Sequence, residues 1–122
     1  MISMYREALD KVNTGLVIVD RDHTVVFWNT SIGNMSGIQQ DEAVGRDIGA
    51  LCPKFQEKRY VDILRSVLST GQSRFCSAAI HKSFVLPANC QSPDEIRQNM
   101  EVSALMDEDH YILVQIMDIS SH

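Results

Sequence analysis

The sequence has few basic residues and no basic cluster. Its 122 residues include 11 Lys and Arg against 16 Asp and Glu, which gives a formal net charge of −5. Apart from the adjacent Lys58 and Arg59, the basic residues are scattered. Because contacts to phosphate groups need clustered Lys and Arg side chains, we expect no binding to nucleic acid or to an anionic membrane.

Long apolar runs are also missing. No stretch approaches the roughly 20 residues that span a bilayer, and the N-terminus lacks the basic and then apolar layout of a secretion signal. The composition, 44% hydrophobic and 22% charged, is typical of a soluble protein. We therefore expect one cytoplasmic domain, because a chain of this length buries a single core.

Cysteine and motif patterns exclude several kinds of site. Cys52, Cys76 and Cys90 are odd in number and widely spaced, so we expect free thiols. No Cys-x-x-Cys or His-x-x-x-His pair is present, which disfavours zinc. The sequence also has no Gly-x-Ser-x-Gly elbow, phosphate-binding glycine loop or paired-carboxylate motif. The acidic run at residues 107–109 is interpreted as part of a solvated turn, since a calcium loop needs alternating ligands and a central glycine.

Two short runs of β-branched and aromatic residues stand near the start of the chain. Residues 16–19 and 25–28 flank a polar segment at residues 20–24. This pattern predicts a β-hairpin. Strict alternation along the second strand places Phe27 on its inner face and Trp28 on its outer face.

Helix start and stop signals follow the hairpin. The Asn29 side chain can accept a hydrogen bond from a helix N-terminus, so we interpret it as a structural cap and predict a short helix that ends near Gly37. Asp41 and Glu42 indicate a second short helix. Gly45 would close it, because glycine permits a left-handed backbone.

Longer helices are predicted at two further places. Apolar residues at steps of three and four predict an N-terminal helix within residues 1–13, which would cover the outer sheet face. A broad apolar stripe predicts a long helix over residues 57–69, ended by Gly71.

The remaining segments resemble strands and one loop. We predict strands over residues 74–85, 100–106 and 111–119, with a hairpin turn at residues 107–110. Two prolines exclude a central strand from residues 86–95, which we predict to be an extended loop.

Five residues in a fixed order, Asp20, Asn29, Gly37, Gly45 and Ile48, resemble the opening of a PAS sensor domain. The end of the chain, residues 113–120, is similar to the final strand of that family and its Asp-Ile-Thr boundary, with serine at position 120 in place of threonine. The resemblance covers nearly the whole chain. It implies an α+β fold: a five-stranded antiparallel sheet with short helices, one long crossing helix and a flanking N-terminal helix. Residues 14–120 would form the PAS core and residues 1–13 the flanking helix.

The resemblance implies sensing and signal relay rather than catalysis. A small ligand, apolar or weakly polar, would occupy a cavity between the sheet and the long helix. The candidate pocket residues are Phe27, Ile63, Leu64, Val67, Phe75 and Ile116. Asp118 and Ile119 would form the signal exit toward a covalently linked output domain, such as a bacterial histidine kinase or cyclic-di-GMP enzyme, that lies outside this chain.

A homodimer is expected from the apolar surface of the flanking helix and the outer sheet face. Its candidate residues are Ile2, Tyr5, Leu9 and Trp28. Two alternatives stay open: a ligand-free PAS-like dimerisation module, and, more distantly, a small α+β enzyme.

No cofactor is expected. The light-sensing flavin-binding branch of the family places its reactive cysteine closer behind the glycine than Cys52 stands behind Gly45. Haem-binding relatives usually supply a histidine from the long helix, and residues 57–69 contain none. His81 is interpreted as a strand residue at the sheet edge or pocket rim, and His23 and His110 as solvated turn residues.

Overall fold

The computed structural model describes residues 2–106 and 110–120, and of residue 2 only the backbone. The predicted turn at residues 107–110 therefore lies largely outside the described residues. None of the helices in the described part of the chain has the length and apolar character needed to cross a membrane. The elements, in chain order, are α1 (Ile2–Lys11), β1 (Gly15–Val19), β2 (Val25–Trp28), α2 (Thr30–Ser36), α3 (Gln40–Ala43), α4 (Ile48–Leu51), α5 (Lys58–Thr70), β3 (Arg74–Cys76), α6 (Ala78–His81), β4 (Gln98–Leu105) and β5 (Tyr111–Asp118), with 3₁₀ turns at Pro53–Gln56 and Pro93–Glu95.

The five strands form one antiparallel sheet in the order β2-β1-β5-β4-β3. The predicted α+β class and five-stranded sheet are confirmed. Alternate residues of β4, Met100 and Val102, are fully buried and pair with Ile116 and Val114 of β5. These side chains form the inner face of the sheet.

Helix α5 packs against this inner face. Its buried residues are Tyr60, Ile63, Leu64 and Val67, the stripe that the periodicity predicts. Gly71 follows α5 with φ of 76°, a left-handed conformation that ends the helix. The long crossing helix is therefore confirmed, one residue later at each end than predicted.

A β-bulge in β2 reverses the faces predicted for two aromatic residues. The register with β1 shifts by one residue around Val26. Trp28 is fully buried in the core, where its Nε1 donates a hydrogen bond to the carbonyl of Ile38 at 2.9 Å. Phe27 pairs with Ile18 on the opposite face. The inner placement of Phe27 and the outer placement of Trp28 are wrong, because one inserted residue turns the following side chains to the other face.

The strand predicted over residues 74–85 is also wrong beyond Cys76. The chain leaves the sheet there and forms α6, which ends at His81. The first backbone N–H of α6, from Ala78, donates to the side-chain oxygen of Asn99 at 2.8 Å. His81 therefore closes a short helix and is not a strand residue.

Helix α1 is attached to α2 by side-chain hydrogen bonds. The Asn29 side-chain nitrogen donates to the carbonyl of Leu9 at 3.0 Å, and the carboxylate of Asp10 accepts from the backbone and hydroxyl of Thr30. Tyr5 remains 59% exposed and Leu9 41% exposed. The apolar side of α1 is thus largely open to water and is not buried against the sheet as predicted.

Candidate functional site

The six residues predicted to line a pocket are not brought together. Ile63, Leu64, Val67 and Ile116 are packed within the hydrophobic core, each at most 6% exposed. Phe27 lies on the opposite face of the sheet, as described above. Phe75 pairs with Glu101, away from the core, and is 58% exposed.

A cleft of about 740 Å³ lies instead between two chain segments. One wall comes from residues 36–38 and 50–54, and the other from residues 83–89. Ile38, Leu51 and Phe84 contribute apolar surface, and Lys54 is the single charged residue among the described residues of the lining. The volume lies within the range of about 300–1,000 Å³ that small-molecule sites occupy.

Lys54 bridges a strained turn in the second wall of the cleft. Its Nζ donates to the carbonyl of His81 at 2.7 Å and to the carbonyl of Ser83. Lys82 lies between them with φ of 69° and ψ of −77°, and the N–H of Ser83 donates back to the carbonyl of His81 at 2.9 Å. These values describe a γ-turn with positive φ, which is rare and strained. The ammonium group of Lys54 therefore binds the carbonyls on both sides of the strained residue.

The ammonium group of Lys54 lies near two aromatic rings. We call Lys54, Arg59, Tyr60, His81 and Phe84 the Tyr60 cluster. The Tyr60 hydroxyl and His81 Nδ1 share a hydrogen bond of 2.7 Å. Lys54 Nζ lies 5.6 Å from the ring centre of Tyr60 and 5.2 Å from that of Phe84, and the Arg59 guanidinium lies 4.8 Å from the Tyr60 ring. These distances are typical of cation–π contacts.

Burial changes the titration of this region. It lowers the pKa of His81, and the positive charges of Arg59, Lys54 and Arg74 lower it further. Burial also lowers the pKa of Lys54, although Glu57 partly opposes this. Neutral His81 is therefore its main form near neutral pH, because the ordinary pKa of histidine, about 6.5, is already below 7.

Cys52 also lines the cleft, and it is not a reactive thiol. Burial raises its pKa to about 12. Since the thiolate is the nucleophile, Cys52 acts here as a small apolar wall residue.

Gln98 clamps the segment that carries Phe84. Its Oε1 accepts from the backbone N–H groups of Phe84 at 2.8 Å and Val85 at 2.9 Å, and its Nε2 donates to the carbonyl of Val85 at 2.7 Å. The backbone N–H of Gln98 donates to the carbonyl of Lys82 at 2.9 Å. Gln98 is only 2% exposed, so these bonds satisfy an amide that would be costly to bury alone.

The predicted signal exit lies beside the same residue. Gln98 pairs with Asp118 across β4 and β5. One residue earlier, the N–H of Arg97 donates to the hydroxyl of Ser120 at 2.9 Å, and the N–H of Ile119 donates to the carbonyl of Arg97 at 2.9 Å. The start of β4 therefore touches both the cleft wall and the end of β5.

Asn29 occupies the cap position expected from the sequence. Its Oδ1 accepts from the N–H of Ile32 at 3.1 Å, the helix bond, and also from the N–H of Leu16 at 2.9 Å. Its Nδ2 donates to the carbonyls of Leu9 and Thr14. One buried amide thus joins α1, β1 and α2.

A second groove, of about 810 Å³, runs beside Ile119 and is lined by Asp94, Glu95 and Arg97 among others. Asp94 and Glu95 are exposed to water, so this groove has less of the apolar enclosure that binds small molecules. Across residues 2–106 and 110–120, no group of three or more His, Cys, Asp or Glu side chains could hold a metal ion.

Sequence reasoning missed Lys54, Phe84 and Gln98 as site residues. The loop at residues 86–95 was a usable signal, because its prolines keep it out of the sheet and leave it free to line a cleft. The contact of Lys54 with residues 81–83 had no local signal, since the partners stand 27 and 29 positions apart.

Solved structures with the same fold cover nearly the whole chain. A sensory box sensor histidine kinase from Vibrio cholerae has a TM-score of 0.71 at 22% identity, over 98% of this chain and 93% of that one. The PAS domain of nitrogen regulation protein NR(II) from Vibrio parahaemolyticus has a TM-score of 0.71 at 17% identity, over 95% and 98%. The PAS domain of the RpfR quorum-sensing receptor from Cronobacter turicensis, in complex with C12:0, has a TM-score of 0.58 at 13% identity, over 90% and 97%.

Sequence comparison gives the family directly. No curated protein matches the chain. The family model described as the PAS fold matches residues 3–119. The chain therefore belongs to the PAS fold family.

Proposed function

We propose that this chain is a cytoplasmic sensory module that binds a small, largely apolar ligand in the cleft between residues 36–54 and 83–89. PAS domains are generally sensory modules without catalytic activity, and we assign no reaction to this one. The occupied or empty state of the cleft would be relayed to an output domain linked beyond Ile119. A histidine kinase or a cyclic-di-GMP enzyme is the output that we propose.

One observation carries this proposal: Gln98 connects the cleft wall to the exit. Its side chain holds the backbone of Phe84 and Val85, and its own backbone pairs with Asp118. A ligand that displaces the backbone at Phe84 must bend or break these bonds. Because Gln98 is buried, its amide loses its partners unless the start of β4 moves with the wall. A ligand that binds one arrangement of the wall more tightly then shifts the populations of the conformations at the end of β5.

The solved PAS structure in complex with C12:0 supports the ligand size, since an acyl chain is small and apolar. The lining of this cleft has the matching character, with Ile38, Leu51, Pro53 and Leu86 among its residues. The ligand-binding position proposed here differs from the interior position predicted from the sequence, where Val67 and its neighbours are packed.

The test uses 1-octanol as a probe of the cleft. We expect saturable binding, followed by NMR titration of the backbone amides, with the largest shifts at residues 83–89. Ala50 is exposed on the first wall, so Ala50→Trp should fill the cleft and abolish binding without disturbing the core. Ala8→Trp on α1 is the matched control, because Ala8 is exposed and remote from the cleft lining. Equal binding by the wild type and Ala50→Trp, or no binding by either, would contradict the proposal.

Dimerisation is the second property that we propose, and exposed apolar surface supports it. Met4, Tyr5, Leu9 and Val12 are 41–59% exposed along α1 and just after it. Trp28 is no longer a candidate for this interface, because it is fully buried within its own core. A dimerisation module without a ligand would use the same surface. The core packing of the predicted pocket residues favours that alternative, and the octanol titration separates the two.

A further inference from the structure

The Nζ of Lys54 has one hydrogen-bond donor more than its two carbonyl partners use. An ammonium group carries three N–H bonds, and two of them are directed to the carbonyls of His81 and Ser83. The Nζ of Lys54 lies 5.6 Å from the ring centre of Tyr60 and 5.2 Å from that of Phe84. Lys54 lines the cleft, so the third donor is available to an acceptor that enters it.

The charges around this donor favour an anion. Among the described residues, no Asp or Glu lines the cleft and Lys54 is the single charged residue of its lining. Arg59 and Lys82 add positive charge nearby, which the negative charge of Glu57 partly offsets. The positive potential here contrasts with the net charge of −5 of the whole chain. A negatively charged head group would therefore be attracted to Lys54 within an otherwise apolar cleft.

We propose that the ligand is an amphiphile with an apolar body and a single carboxylate, and that Lys54 is the residue that recognises the carboxylate. This inference rests on the proposed function, because it names the ligand class of the same cleft. The carboxylate accepts the third N–H of Lys54 Nζ, and its negative charge draws the ammonium group away from the carbonyls of His81 and Ser83. Any weakening of those two bonds releases the strained turn at Lys82, and that movement begins at the wall which Gln98 clamps.

The test compares probes with one body and different heads: octanoate, 1-octanol and octylammonium, each titrated by NMR at neutral pH and low salt. Charge-assisted hydrogen bonds predict that octanoate binds about tenfold to hundredfold more tightly than 1-octanol, and octylammonium more weakly. The Ser83 amide should shift more with octanoate than with 1-octanol. Acetate, which has the head without the body, should not saturate the site.

Substitutions at Lys54 and Lys82 test whether the preference for octanoate depends on Lys54. Lys54→Met keeps an apolar side chain without the ammonium group and should equalise the affinities for octanoate and 1-octanol. Lys54→Arg keeps the charge and should retain a preference for octanoate. Lys82→Gln removes a neighbouring charge outside the lining and should leave the preference nearly unchanged. If Lys54→Met does not fold, the affinities of the wild type, Lys54→Arg and Lys82→Gln for octanoate, 1-octanol and octylammonium still test whether Lys54 recognises the carboxylate.

Two outcomes overturn the inference, and they are distinguishable. Equal affinity for octanoate and 1-octanol in the wild type, or a preference for octylammonium, refutes recognition by Lys54 and leaves the proposed apolar cleft intact. No saturable binding of any probe refutes the proposed function together with this inference.

Discussion

The side-chain oxygen of Gln98 lies 2.8 Å from the backbone nitrogen of Phe84, so a residue at the start of β4 holds a residue of the cleft wall. The same glutamine faces Asp118 at the end of β5. A sheet residue is therefore in contact with both the proposed ligand site and the proposed exit. In the described part of the chain every buried side-chain nitrogen and oxygen has a hydrogen-bond partner, and Gln98 meets this requirement through the wall.

Replacing Asn29 should destabilise the fold, because its amide makes four hydrogen bonds that join three elements. We expect Asn29→Ala to lower the free energy of unfolding by about 2–3 kcal/mol, from the lost cap and the unsatisfied buried groups. Urea denaturation measures the change. Asn34→Ala is the matched control, since Asn34 is exposed on the same helix, and it should change stability by less than about 0.5 kcal/mol. Equal effects of the two variants would refute this role of Asn29.

Enlarging Val67 should also destabilise the protein. Val67 is fully buried among core side chains, so Val67→Phe overpacks the interior at a cost of about 1–3 kcal/mol. Val44→Phe adds the same volume at an exposed site and should be nearly neutral. Thermal or urea unfolding compares the two. Full stability of Val67→Phe would indicate an empty interior and would return the ligand to the position predicted from the sequence.

Acidification should destabilise the fold through His81. Burial, with Arg59, Lys54 and Arg74, holds the pKa of His81 below its ordinary value in the folded state. The unfolded chain then binds the proton first, so the contribution of His81 to stability is complete above about pH 6.5 and is lost as the pH falls through the lower folded pKa. The urea midpoint of unfolding should therefore decrease as the pH is lowered from 8 to 5, and it should decrease less in His81→Gln.

His23 contributes in the same direction, because burial lowers its pKa as well. The wild-type slope therefore includes both histidines, and the diagnostic quantity is the difference between the wild type and His81→Gln. His110→Gln is the control, since His110 is not part of the Tyr60 cluster. An unchanged slope in His81→Gln would contradict the assignment.

Self-association should depend on the exposed side of α1. Tyr5 and Leu9 present apolar surface to water, and charged residues at both positions would have to be buried in a dimer. We expect light scattering to show a dimer for the wild type and a monomer for the double variant Tyr5→Glu, Leu9→Glu. Ser3→Glu adds charge to the same helix at a polar, exposed position and should leave the mass unchanged. A monomeric wild type would refute dimerisation by this domain alone.

Regular periodicity made much of the fold predictable. The first hairpin, the cap at Asn29, the long helix and the alternation of β4 all follow from local patterns of apolar and polar residues. The bulge at Val26 did not, because an inserted residue has no signature in a run of four apolar side chains. It was enough to interchange the faces of Phe27 and Trp28.

The site was less predictable than the fold, since its contacts join distant segments. The first N–H of α6, from Ala78, donates to the side-chain oxygen of Asn99, and Lys54 donates to the turn that follows the helix. Neither partner is adjacent in the sequence. The apolar stripe of α5 predicts burial correctly. However, buried apolar side chains occur both in packed cores and in the walls of ligand cavities, so the pattern could not locate the cleft.

The most direct test of the account follows the amide resonances of the exit while the cleft is filled. With 1-octanol bound, the wild type should show shifts both at residues 83–85 and at Ile119 and Ser120. Gln98→Met replaces the amide with an apolar side chain of similar length and so removes the side-chain hydrogen bonds to Phe84 and Val85. This variant should retain the shifts at the cleft and lose those at the exit. Exit shifts that persist undiminished in Gln98→Met, or that never occur in the wild type, would contradict relay through Gln98.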